Sequence, residues 1–177
     1  FSHVSAQETP EDPLSQQAAA LEAELGKYKD TTPEAAEAMV KLVDLYYSDG
    51  RLFGLVRVAQ QFAAAHPTDA RHKTVMLKLI DGQEALSRNK ELAVSIRQFM
   101  ARYPDAAENP ALEIRLADAL AQFDDRRRVA EAYWNVWKRQ GPNETGRRYG
   151  VQAAQILSAI GDPSALSAQY AEQLLDM

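Results

Sequence analysis

The chain has 177 residues, 46% of them hydrophobic, and a formal charge of −5, with no cysteine. It is long enough to close a core, while the missing thiols exclude disulfides, thiolate zinc sites and cysteine nucleophiles. No run of about 18 apolar residues offers a membrane span, and aromatics are not interleaved with the basic residues as in single-strand nucleic-acid platforms, so neither a membrane span nor a nucleic-acid partner is expected.

Charge is uneven: residues 1–50 carry ten acids and three bases, whereas the remainder carries fifteen acids and seventeen bases. Val4-Ser5-Ala6 before Gln7 has the small-residue pattern of an export-signal cleavage site. Residues 1–12 are thus expected to be a flexible linker or export-signal remnant. That points to a periplasmic or secreted protein, with a cytoplasmic one as the alternative.

Composition favours helix, because Ala, Leu, Gln, Glu and Arg are abundant and Gly and Pro fall mainly between periodic stretches. A first helix is expected over about 13–28, opened by Asp12-Pro13. Four pairs follow: 33–48 with 51–65, 69–86 with 89–102, 110–122 with 126–139, and 144–159 with 163–176. Expected starts are a capping box of Thr31 with Glu34, then Asp49, Asn89, Asn109-Pro110, Asp124 or Asp125, Asn143 and Asp162-Pro163. These make about nine helices and no strand, an all-α chain.

The pairs are repeats. Lys41-Leu42-Val43-Asp44 returns 37 residues later as Lys78-Leu79-Ile80-Asp81 and again as Arg115-Leu116-Ala117-Asp118. A second anchor, an aromatic five residues before a proline, recurs as Phe62 with Pro67, Phe99 with Pro104 and Trp137 with Pro142. One helical hairpin cannot cover its own apolar stripe, so such units stack into arrays. The repeat domain is expected over 13–177, with units at about 33–68, 69–105, 110–142 and 144–177. The last unit is degenerate, and it ends on Leu174-Leu175-Asp176-Met177 without a polar capping helix. Apolar area there leads to the expectation that the natural chain continues or that another subunit docks, giving self-association through the C-terminal end.

In this register the units resemble tetratricopeptide (TPR) repeats over about residues 33–177. The first offers Met39, Leu42, Val43 and Tyr46, then Leu55, Ala59, Phe62 and Pro67. The second offers Met76, Leu79, Ile80 and Gln83, then Leu92, Ile96, Phe99 and Pro104; the third offers Leu116, Ala117 and Leu120, then Ala130, Trp134, Trp137 and Pro142. Val43 and Ile80 replace a residue that is normally small, which marks a divergent array. The resemblance implies a right-handed α-solenoid of antiparallel helix pairs whose first helices line a groove. The period and the Tyr103-Pro104-Asp105 turn also look like envelope-associated bacterial TPR proteins, although the lipid-acceptor cysteine of one of those is absent.

Carried over by position, Lys41, Lys78 and Arg115 fall at groove positions that clamp acidic peptide ends in some members of the family. Asp44, Asp81 and Asp118 beside them depart from that clamp. These six are the candidate partner-binding residues, against an alternative of three ion pairs within the helices, each worth about 0.2–0.5 kcal/mol. The fourth unit carries Gln152 and Gln155 instead, so a charge-reading groove belongs to the first three.

Tyr133, Trp134 and Trp137 read as core rather than ligand platform. His66, Asp69 and His72 carry metal-binding chemistry but straddle a loop and read as solvated. Arg126 to Arg128, with Arg147 and Arg148, read as a solvated helix start rather than a phosphate site. No phosphate loop, nucleophile elbow or metal-ligand helix motif is present, so no catalytic residue, metal or cofactor is assigned. The sequence therefore reads as a protein- or peptide-binding scaffold module, not an enzyme, within a larger exported or envelope-associated protein. Alternatives are a self-assembling structural repeat or a regulatory domain attached to an enzyme outside this segment.

Overall fold

The structure, a computed structural model, describes residues 12–161. Eight helices account for them: α1 Pro13–Leu25, α2 Pro33–Ser48, α3 Leu52–Ala65, α4 His72–Ala85, α5 Asn89–Arg102, α6 Asn109–Leu120, α7 Arg126–Gln140 and α8 Glu144–Ala159. No strand occurs among the described residues. The ninth expected helix, with its Asp162 cap and the apolar C-terminal end, lies outside them, as do residues 1–11. The chain forms two compact units, divided between Leu86 and Ser87.

Several helix starts follow the expected capping chemistry. Asp12 accepts from the Leu14 N–H at 2.9 Å, Asp125 from the Arg128 N–H at 3.0 Å and Asn143 from the Gly146 N–H at 2.8 Å. Each satisfies a donor that the first helical turn leaves unpaired. Four expected starts shift. Thr32, not Thr31, caps α2 by accepting from the Ala35 N–H. Asp49 closes α2 instead of opening α3, where Arg51 precedes the helix. Asn89 and Asn109 sit one residue inside their helices. Asn109 is drawn away from capping because its Nδ2 donates to the Tyr103 and Pro104 carbonyls, both at 2.8 Å, and so ties down the preceding loop.

Three boundaries also move inward. The chain leaves α1 after Leu25 through a succession of short turns rather than reaching residue 28. Asp69 takes the Arg71 N–H at 2.8 Å in a local turn, so α4 begins at His72 rather than 69. At the end of α6 the Gln122 and Phe123 N–H groups bond three residues back, which tightens the chain out of the helix before 122.

In the first unit, consecutive helices pack on one another and α4 also returns against α2. Its core holds Met39, Leu42, Val43, Leu55, Val58, Ala59, Phe62, Met76, Leu79 and Ile80, each no more than 3% exposed. Gly82 makes the approach of α4 to α3 close: a Cβ there would lie 3.0 Å from the Leu55 side chain and 3.1 Å from that of Val56. In the second unit, α7 packs against α6 and α8. One core cluster joins Ala130, Trp134, Ala153 and Leu157, and another joins Ala117, Val136 and Tyr149.

The second anchor of the repeat has a local structural meaning. The His66 N–H bonds to the Phe62 carbonyl and the Tyr103 N–H to that of Phe99, both at 2.8 Å. Ring centroids in the two pairs lie 5.2 and 5.0 Å apart. The terminating backbones agree closely, with φ −125° and ψ 54° at His66 and φ −124° and ψ 66° at Tyr103. A fully buried aromatic thus ends the helix under the ring of the residue that precedes proline.

Candidate functional site

Four of the six candidate residues gather on neighbouring first helices of the first unit. Lys78 Nζ on α4 lies 2.6 Å from Asp44 Oδ1 on α2 and 5.2 Å from the centre of the Tyr47 ring. The Tyr47 hydroxyl donates back to Asp81 Oδ2 at 3.0 Å. Lys41 pairs at 3.5 Å with Glu37, whose other oxygen takes Arg71 at 2.6 Å. The partner of Lys78 is therefore not Asp81, three residues on, but the aspartate one repeat earlier. Lys41 likewise turns to Glu37 rather than Asp44. For Lys41 and Lys78, the reading of ion pairs with Asp44 and Asp81 on their own helices is corrected accordingly.

The strip is solvent-accessible. Tyr47 is 44% exposed, and the Asp44 side chain retains more than half of its surface. Beside it α1 and α2 leave a hollow of about 460 Å³ lined by Gln17, Leu21, Lys41, Asp44, Leu45 and Ser48. Lysine, carboxylate, hydroxyl and aromatic face thus share one surface, capable of hydrogen bonding with either polarity and of covering an apolar side chain.

Arg115 and Asp118 lie on α6 in the second unit. Asp118 is exposed and accepts from the Tyr149 hydroxyl on α8 through both oxygens at 2.8 Å. Burial, reinforced by that carboxylate, pushes the Tyr149 phenol up to about 12. The Tyr133 ring meets Tyr149 edge-on at 5.1 Å. Arg115 is half-buried and engaged in contacts of its own. Gln152 and Gln155 stay exposed on α8.

The remaining features resolve in structural terms. Trp134 is 4% exposed and stacks on Trp137, with centroids 4.5 Å apart, and Tyr133 and Trp137 pack against the same core. Asp69 is held by Arg71 through Nε at 2.9 Å and Nη2 at 2.8 Å. Those hydrogen bonds bring its carboxyl down to about 2. His72 is 5% exposed, which corrects its reading as a solvated loop residue: it enters the first turn of α4 and is buried there. No group of three metal-ligating side chains forms among the described residues. Arg128 pairs with Asp124 at 3.2 Å, and Arg148 lies 4.9 Å from the Tyr149 ring centre. No described helix is long and apolar enough to cross a membrane.

One residue escaped the motif reading. Glu113 stands 37 residues after Met76 and 74 after Met39, in the same register, and is 9% exposed. Burial raises its carboxyl above the usual range against the pull of Arg139 and Lys138. An acid at a core methionine position is visible in the sequence once the repeats are aligned on their Leu.

The fold is that of TPR-like helical repeats. No family model matches it, and no curated protein matches it. Among solved structures it is similar to the nearly identical TPR-like repeats of a kinesin light chain-like protein from Podosopora anserina, at a TM-score of 0.55 and 14% identity, over 92% of this chain and 86% of that one. A point variant of that protein matches with the same score and identity, over 85% of its length. The likeness is one of fold.

Proposed function

We propose that the chain is a protein- or peptide-binding scaffold module whose contact residues are Lys41, Asp44, Lys78 and Asp81 in the first unit and Arg115 and Asp118 in the second. The observation that carries this reading is the exposed strip on α2 and α4, where a repeated phrase sets Lys78, Asp44, Tyr47 and Asp81 side by side. Helical-repeat folds commonly present such extended surfaces. No reaction is assigned to it. A place in a larger exported or envelope-associated protein is part of the proposal, supported by Val4-Ser5-Ala6 before Gln7.

Affinity capture with the chain, compared with a Lys41→Glu, Lys78→Glu and Arg115→Glu triple variant, tests the surface. The expected result is loss of the captured polypeptide with helicity retained by circular dichroism. Equal capture by a folded triple variant overturns it.

A further inference from the structure

The third repeat departs from the first two in charge at one buried register. Met39 and Met76 fill it at 0% and 3% exposure, whereas the third repeat places Glu113 there. Arg139 answers it, with Nε 2.7 Å from Glu113 Oε2 but out of line for a hydrogen bond. In the two earlier second helices Ala64 and Ala101 occupy the Arg139 register, counted from the anchoring aromatic. Where the first two repeats carry Met and Ala, the third carries two opposite charges. Stability does not explain the exchange, because burying the Glu113 carboxylate against a half-exposed Arg139 costs solvation that the pair's attraction typically does no more than offset.

A second departure adjoins it. Leu42 and Leu79 are closed off from solvent, but their counterpart Leu116 is only half-buried. It borders a cavity of about 290 Å³ between α5, α6 and α7, near the small end of the range for ligand sites. Leu116, Leu120 and Ala132 supply apolar wall, and Glu113 lines it from α6. Arg97 on α5 and Glu131 on α7 add opposite charges from two sides, and among the described residues neither has an ion pair or hydrogen bond. Arg128 at the same cavity is already paired with Asp124.

We propose that this cavity binds a small zwitterion of the α-amino-acid class. The ammonium group faces Glu131 beside the Glu113–Arg139 pair, the carboxylate faces Arg97, and an aliphatic side chain rests on Leu116 and Leu120. With Glu113 answered by Arg139 and Arg128 by Asp124, the walls offer one unanswered acid, Glu131, and one unanswered base, Arg97, so a simple cation or a simple anion would leave one of them uncompensated in a partly desolvated space.

Calorimetric titration of the chain with the L-amino acids individually, and with matched alkylamines and carboxylic acids, tests this. The expected result is binding by at least one aliphatic amino acid, with the amine and acid analogues about tenfold weaker or worse. Glu113→Met restores the residue of the other two repeats, so it should keep the fold and its thermal midpoint while weakening amino-acid binding about tenfold or more. Arg97→Ala, at an exposed position, should do the same. The proposal is overturned if no amino acid binds, if the analogues bind equally well, or if affinity is unchanged in both folded variants.

Discussion

Lys78 reaches back 34 residues to Asp44, 2.6 Å from its carboxylate, and in doing so lies over the Tyr47 ring. The pair ties the first helix of one repeat to that of the next. Both side chains touch solvent, Asp44 more than Lys78, so the contribution to stability is small. A double-mutant cycle with Asp44→Asn and Lys78→Gln should give a coupling of about 0.2–1 kcal/mol in urea unfolding. Added salt should shrink it. A cycle that closes to zero at low salt would show that the contact is incidental.

Gln83 is fully buried on α4, and neither its Oε1 nor its Nε2 has a hydrogen-bond partner. An unsatisfied buried polar group costs about 1–3 kcal/mol, and an apolar side chain of similar shape avoids that cost. Gln83→Met should therefore raise stability by about 1 kcal/mol, seen as a higher urea midpoint at unchanged slope. A lower midpoint would mean that the carboxamide contributes through its packing.

Asp69 links stability to acid. Its folded-state carboxyl is lowered to about 2 by the Arg71 hydrogen bonds, below the unfolded value. The stabilisation is therefore present in full above the unfolded value of about 3.9 and is lost as pH falls through the folded one. Comparing thermal midpoints of the parent and Asp69→Asn, the difference should be constant near neutrality and shrink between about pH 4 and pH 2. A difference that does not change over this interval would break the link.

Tyr46 and Tyr149 link stability to base. Burial, followed by the acceptors Glu22 and Asp118, pushes both phenols up to about 12. A raised folded value means that the stabilisation is present below the unfolded value of about 10 and lost as pH rises toward 12. Tyrosinate absorbance should show a late-titrating fraction in the folded protein. Tyr46→Phe and Tyr149→Phe should each remove part of it, and an unchanged late fraction in both variants would refute the assignment.

Repeat architecture was legible because each anchor performs the same physical task in the first two repeats. Leu42 and Leu79 close the core, and Phe62 and Phe99 are wholly buried. Cap positions were less legible, since Thr31 and Thr32 have the same chemistry and the entry path of the chain chooses between them. Asn109 shows the same limit: its amide had loop carbonyls within reach that no local spacing reveals. At the candidate site, residue types and their placement on first helices could be read, but not the choice of Asp44 over Asp81 by Lys78. That choice depends on the distance between two helices. Glu113 was within reach of the sequence, but the shared anchors do not point to it: it marks where one repeat differs from Met39 and Met76.

The helix endings at His66 and Tyr103 carry a consequence for the length of the array. Because the bond, the ring contact and the proline that follow each buried aromatic lie within a few residues of one another, each ending is self-contained. Copying residues 67–103 in frame would join Tyr103 to a second Pro67, recreating the aromatic–proline step now made with Pro104. The molecule thus carries its own splice point, at which a whole period can be inserted without a new turn being designed.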